Sequence, residues 1–227
     1  MTTAATDSPF DEVRLWLVDL DESGADAAQA WLSASESARA ERFVFAQDAR
    51  RYRAAHIALR SLLLQHCAWP AGAEFGTGAH GKPRLASCGG RGFNLSHSEG
   101  WALIGIDTVD GLGVDIEVIR PLDDAFLLAE HNFSASEREA LHRLPAGEVS
   151  SAFLGVWTRK EACLKALGTG LSIAPAGFHA GLAADAGVVT VQDGPQLHVV
   201  QVRSLALGPG IAAAVARRQF HCGDPPG

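Results

Sequence analysis

Gly111-Leu-Gly-Val-Asp-Ile-Glu117 is the stretch whose reading decides the fold. Successive side chains of a strand point to opposite faces, so Leu112, Val114, Ile116 and Val118 share one face while Asp115 and Glu117 share the other. Same-face neighbours stand roughly 7 Å apart, close enough for both carboxylates to lean toward one shared ion. The same alternation also describes a half-buried strand with a solvated acidic face, and alternation alone leaves both readings open.

The chain around it has 227 residues, enough for one large domain or for two lobes of about 110 residues each. Apolar residues make up 47% and charged ones 20%, the balance of a folded chain rather than a disordered one. No apolar run approaches the roughly 18 residues needed to span a bilayer, and Met1-Thr-Thr-Ala-Ala-Thr-Asp7 lacks the basic-then-apolar order of a signal peptide. A cytoplasmic protein with no membrane partner is expected. Cys67, Cys88, Cys163 and Cys222 are scattered without a Cys-x-x-Cys pair, so neither a zinc site nor a disulfide framework is expected. A formal charge of −7 argues against general nucleic-acid binding, which needs an extended basic surface. Any phosphate must be bound locally.

In chain order, after a loose start, Val13 to Leu20 alternates like a strand and is broken at Asp21-Glu-Ser-Gly24. Ser33-x-x-Glu36 reads as a capping box that opens a helix toward Phe45. Asp48 is expected to cap a second helix, with Tyr52, Ala55, Leu59, Leu62 and Leu63 as its apolar stripe. Arg39, Arg42, Arg50, Arg51, Arg53 and Arg60 cluster around that stripe. They are either an anion site, since guanidinium groups grip phosphate with two hydrogen bonds, or a solvated face. Gly81-Lys82-Pro83 lies in a glycine-rich loop without the spacing of a P-loop. Phe93-Asn-Leu-Ser-His97, Trp101 to Ile106 and the carboxylate strand read as an antiparallel meander with Ser96 and His97 near a strand end. A lone histidine such as His97 is more often structural than functional.

Arg120-Pro121 marks the expected boundary between lobes 1–119 and 120–227. Asp123 to His131 is a short helix, with Phe126 and Leu127 either core or a docking face. Ser134-x-x-Glu137 opens the next helix, ended by Leu144-Pro145-Ala-Gly147. Ser151 to Leu167 forms a helix stopped by Gly168, with Phe153, Trp157, Glu161 and Lys165 in one row. Glu161 on that row needs a cation, a hydrogen-bond network or a wet cleft; the bland alternative is an exposed i,i+4 pair with Lys165. Val188 to Gln192, Leu197 to Leu207 and Ile211 to Arg217 read as three antiparallel strands, and Cys222 to Gly227 as a frayed tail. The pattern predicts an α+β fold of two similar lobes, each with helices packed on a small antiparallel sheet.

Phe93-Asn-Leu-Ser-His97, Gly113-Val-Asp-Ile-Glu117 and Trp157-Thr-Arg-Lys-Glu-Ala-Cys-Leu-Lys165, in that order and spacing, resemble the three signature blocks of the Sfp-type 4'-phosphopantetheinyl transferases. Arg42-Phe43, Asp48-Ala-Arg50, Leu59-Arg60, the Gly81-Lys-Pro83 turn and Gly168-Thr-Gly170-Leu171 extend the likeness over residues 35 to 175.

The resemblance implies two pseudo-symmetric lobes with coenzyme A in the cleft between them. It also implies Mg²⁺-dependent transfer of phosphopantetheine to a serine of an acyl or peptidyl carrier protein, releasing 3',5'-ADP. Asp115, Glu117 and Glu161 would bind the ion, Glu161 or alternatively Glu117 would be the base, and Lys165 would offset charge on the leaving pyrophosphate. Arg39, Arg51, Lys82, Ser96 and His97 would hold the phosphates of coenzyme A. One departure is Glu36, which stands where some relatives carry a phosphate-facing lysine. The chain is expected to be a monomer; Sfp-like architecture suits carriers of polyketide and nonribosomal peptide synthesis, with fatty-acid carriers left open. A Mg²⁺-dependent phosphohydrolase and a silent coenzyme A or nucleotide-binding module remain the competing classes.

Overall fold

The computed structural model describes residues 3–22, 30–78, 80–86, 90–182 and 186–220. Cys88, Cys222 and the 222–227 tail lie outside the described residues. The chain divides into two compact units, Met1–Gly78 with Pro83–Asp110, and Ala79–Lys82 with Gly111–Gly227.

In the first unit, β1 (Thr3–Thr6), β2 (Arg14–Asp19), β5 (Gly92–Ser98) and β6 (Trp101–Asp107) make an antiparallel sheet of order β1-β2-β6-β5. The start is not loose: Thr3 to Thr6 is an edge strand paired with Leu15 to Val18. A small pair, β3 (Gly76–Thr77) and β4 (Pro83–Arg84), lies beside it in sequence. The capping box at Ser33 forms as expected and opens α1 (Ala34–Ala40): Glu36 N–H donates to Ser33 Oγ and Ser33 N–H to Glu36 Oε2. The next helix, α2 (Ala46–Cys67), starts at Phe45 without a side-chain cap, and Asp48 falls in its first turn instead. There its charge still favours the positive end of the helix dipole. The apolar stripe of α2 packs on β5 and β6, with Leu59, Leu63, Ile104 and Phe93 in one core cluster.

In the second unit, β7 (Leu112–Val118), β8 (Ala186–Asp193), β9 (Gln196–Ser204) and β10 (Ile211–Gln219) make an antiparallel sheet of order β7-β10-β9-β8. The carboxylate strand therefore does not continue the meander of the first unit, and the division falls after Asp110 rather than at Arg120-Pro121. Both edges of β6 are already taken by β2 and β5, so β7 pairs with the last strand of the chain.

Three helices follow β7: α3 (Ala125–Asn132), α4 (Ala135–His142), opened by the expected Ser134/Glu137 capping box, and α5 (Ala146–Leu167). The last begins five residues earlier than its sequence pattern suggested. Pro145 ends one element and starts the next, because a residue without an N–H costs nothing at a helix N-terminus. Gly168 stops α5 with φ 72°, as expected. The expected α+β class with antiparallel sheets is what the chain adopts.

Candidate active site

Strand β7 and helix α5 meet backbone to backbone. A Cβ on Gly113 would be driven into the Ala162 carbonyl oxygen and the Ala166 nitrogen. Opposite Gly113, Asp115 and Glu117 on β10 stand Ala216, Ala214 and Ala212, all buried and small. Directly opposed residues share a face, so a row of minimal side chains leaves α5 room to lie against the carboxylates.

This contact overturns the solvated-face reading of β7. Asp115 is only 4% exposed, and its Oδ1 accepts a 2.6 Å hydrogen bond from Lys165 Nζ in the last turn of α5. Glu161, one turn back along the helix, is held above its ordinary proton affinity. Burial is the main cause; Lys165 opposes it, and the charges of Asp115 and Glu117 add to it. Asp115, Glu117, Glu161 and Lys165 thus form one electrostatic group within the second unit. Among the described residues, no three histidine, cysteine, aspartate or glutamate side chains are gathered as a ready-made metal centre. The ammonium of Lys165 stands against Asp115 instead.

Lys82 also belongs to this unit. Its Nζ donates to the carbonyls of Leu112 at 2.9 Å and Ala166 at 3.4 Å, tying the start of β7 to the end of α5. Lysine hydrogen-bonding to the last carbonyls of a helix is a common C-terminal device. The turn thus gives Lys82 a structural occupation that its place in a glycine-rich loop did not reveal.

The first unit contains a pocket of about 670 Å³ ringed by Arg39, Arg42, His97, Tyr52 and His56, with Phe43, Phe75 and Phe93 as apolar walls. Arg39 and His97 were expected to face an anion, and both line it. Arg51 does not. It grips Asp21 through Nε and Nη2 at 2.9 and 2.7 Å and reaches Glu99 at 3.3 Å, so an incoming phosphate must compete with two carboxylates. Ser96 is buried beside His97 on β5 and does not line the pocket either.

Glu36 does more than cap α1. Its Oε1 accepts from His56 Nδ1 at 2.7 Å and its Oε2 from Arg60 Nε at 2.6 Å. His56 and Arg60 are one turn apart on α2, a spacing visible in the sequence, but their shared partner on another helix is not. Burial alone would raise the Glu36 carboxyl. Hydrogen bonds from His56, Arg60 and the Ser33 N–H outweigh it and bring it down to about 2. A lowered native value means stability that is fully present above the ordinary value of 4.5 and is lost as pH falls toward 2. We therefore expect the unfolding free energy of the native chain to drop more steeply between pH 4.5 and 2 than that of Glu36→Gln, by about 3 kcal/mol over the window. Parallel acid curves in a chemical-denaturation series would contradict this.

A match to a family of known proteins falls on the second unit. The sequence model of the 4'-phosphopantetheinyl transferase superfamily matches residues 111–215, which run from the start of β7 through α5 into β10. The 4'-phosphopantetheinyl transferase HetI of Nostoc sp. (strain PCC 7120 / SAG 25.82 / UTEX 2576) is 39% identical over 168 residues, 71% of this chain and 71% of that protein. The 4'-phosphopantetheinyl transferase psf-1 of Bacillus pumilus is 34% identical over 190 residues, 83% of this chain and 80% of that one. The 4'-phosphopantetheinyl transferase Sfp of Bacillus subtilis (strain 168) is 27% identical over 186 residues, 82% and 81% of the two chains. With strand, helix and acid cluster all inside the matched span, and two such relatives aligned over most of their length, the chain belongs to the 4'-phosphopantetheinyl transferase superfamily.

Proposed function

We propose that this chain transfers the 4'-phosphopantetheine group of coenzyme A to a serine hydroxyl of an apo acyl or peptidyl carrier protein, in a Mg²⁺-dependent reaction that releases 3',5'-ADP. The observation that carries the reading is the group formed by Asp115, Glu117, Glu161 and Lys165 in the matched span. The three acids offer only hard carboxylate oxygens, the donor set that Mg²⁺ takes together with phosphate oxygens and water. The raised proton affinity of Glu161 comes first from burial and only then from the charges of Asp115 and Glu117, and a cation among the three acids would oppose both. Mg²⁺ held by Asp115, Glu117 and Glu161 would draw charge from the pyrophosphate of coenzyme A.

The residues themselves supply the remaining steps. Glu161 is assigned as the base that takes the serine proton, with Glu117 as the alternative; a carboxylate in a partly desolvated site accepts a proton more readily than one in water. The serine oxygen forms its bond to the phosphorus bearing pantetheine while the bond to the departing 3',5'-ADP oxygen breaks. Lys165 offsets the charge left on that oxygen. Arg39 and His97, with Arg42 beside them, are assigned to the nucleotide phosphates in the pocket of the first unit. Arg51 joins them only if it exchanges Asp21 and Glu99 for ligand; Ser96 is assigned to supporting β5 behind His97, and Lys82 to bracing β7 against α5 within the second unit.

Phe126 and Leu127 on α3 are 40% and 63% exposed, and Phe126 stacks flat on His142 at 4.5 Å. They are the apolar contact we assign to the carrier, since an acidic chain cannot attract an acidic carrier globally. One chain carries both the pocket and the acids, which supports a monomer. The substrate class supports a cytoplasmic setting in which Cys67 and Cys163 stay reduced. Both are free thiols in the structure, and burial pushes the Cys163 thiol up to about 12. Among the described residues no helix is long and apolar enough to cross a membrane.

Incubation with coenzyme A, Mg²⁺ and a panel of apo carriers is expected to add one phosphopantetheine mass to at least one of them. Polyketide and nonribosomal peptide carriers are the expected substrates, ranked by kcat/KM. Glu161→Gln is expected to lower kcat by about 10²- to 10⁴-fold with little change in coenzyme A affinity. Phosphate release from simple esters without a carrier would favour a phosphohydrolase. Coenzyme A binding without turnover in the native chain would favour a silent binding module. Lost affinity with an intact kcat in Glu161→Gln would remove its role as base.

A further inference from the structure

The side chain of Lys165 is positioned for more than leaving-group stabilisation. Its ammonium lies 2.6 Å from Asp115 Oδ1, against a carboxylate that is only 4% exposed, while its own side chain is 28% exposed. A buried carboxylate needs a counter-charge at all times, and this ion pair supplies one from within the chain. A divalent cation on Asp115 would place a second positive centre where the ammonium already sits, and two cations cannot share one desolvated carboxylate without strong repulsion. Lysine, unlike arginine, is a point charge on a flexible four-carbon stem, and its partial exposure leaves it somewhere to go.

We propose that Lys165 is an exchangeable internal counter-ion: it neutralises Asp115 while the acid cluster is empty of metal, and entry of the divalent cation displaces it toward the phosphates of the bound substrate. This rests on the reading of Asp115, Glu117 and Glu161 as metal ligands. It adds that metal binding and the lysine compete for one carboxylate, and that the chain folds its acid cluster without metal because Lys165 stands in.

Three things follow for the metal-free protein without coenzyme A, titrated with Mg²⁺ by calorimetry and followed by thermal melting. Lys165→Gln is expected to bind Mg²⁺ about tenfold more tightly than the native chain, within the range typical of coupled sites, because nothing has to be displaced. The same variant is expected to melt lower than native without metal and to recover more of its melting temperature when Mg²⁺ is added. Lys165→Arg, whose planar fork can hold a carboxylate with two hydrogen bonds, is expected to bind Mg²⁺ no better than native. Asp115→Asn serves as the control and must lose Mg²⁺ binding. Binding that depends on Asp115 but is the same or weaker in Lys165→Gln overturns the exchange and leaves the metal site standing. Absence of Mg²⁺ uptake in the native chain and every variant overturns both.

Discussion

Gly113→Ala is expected to lose about a hundredfold or more in transfer rate and to destabilise the second unit by about 2–3 kcal/mol. The added methyl has nowhere to go. It would meet the Ala162 oxygen, the Ala166 nitrogen and, at 3.0 Å, the Lys165 carbonyl carbon, all of them helix backbone that cannot rotate aside as a side chain would. Strand and helix must therefore separate, and the separation acts directly on the pair of elements that bring Asp115 to Lys165 and Glu161. A displacement near 1 Å is enough to cost about two orders of magnitude in a positioned reaction. Rates measured well below the melting temperature distinguish this from simple unfolding. A Gly113→Ala variant with native kcat and native melting temperature would mean that β7 and α5 are not in backbone contact.

The second large effect is expected at Lys160, the neighbour of Glu161 in the Trp157-Thr-Arg-Lys-Glu161 run. Lys160 Nζ lies 2.8 Å from Glu137 Oε2, both side chains are fully buried, and the ammonium also donates to the carbonyls of Pro175 and Phe178 at 2.8 and 2.5 Å. Glu137 in turn accepts from the Ala180 and Ser134 N–H groups. Burial lowers the proton affinity of Lys160, and Glu137 opposes that shift. Removing the lysine leaves a buried carboxylate without its cation, which typically costs 3–5 kcal/mol. Lys160→Met is therefore expected to lower the melting temperature by roughly 10 °C. Lys160→Met combined with Glu137→Gln is expected to cost less than the sum of the two single changes, because the stranded charge disappears. A melting temperature for Lys160→Met within a degree or two of native would contradict the buried pair.

Lys160 and Glu161 show why adjacent motif residues need separate explanations. One degree of sequence proximity puts them on different faces of α5. Lys160 turns into the core and fastens α5 to the Ser134 cap and the Pro175 to Ala180 segment, while Glu161 turns toward β7. Arg159 is likewise structural, donating from Nε to the Ala180 carbonyl at 3.1 Å and from Nη1 to Ser204 Oγ at 2.9 Å. In this run packing explains Arg159 and Lys160, while Glu161 and Lys165 are the residues to which we assign the chemistry.

What the sequence by itself determined are features whose physics closes within a few residues. The capping boxes at Ser33 and Ser134, the glycine stop at Gly168, the amphipathic stripe of α2 and the last three strands could be read because each depends on partners at i+2, i+3 or i+4. The family was legible in a different way, from the resemblance of the ordered blocks to the Sfp-type signature rather than from periodicity.

Only the tertiary structure decided which strand β7 pairs with, that Asp115 is buried against Lys165, that Arg51 and Lys82 are held by Asp21 and by backbone carbonyls, and that Glu36 anchors His56 and Arg60. Strand pairing and ion pairing join residues far apart in the chain, and which partner wins depends on which edges and charges are already occupied. Periodicity along one segment carries no record of that competition.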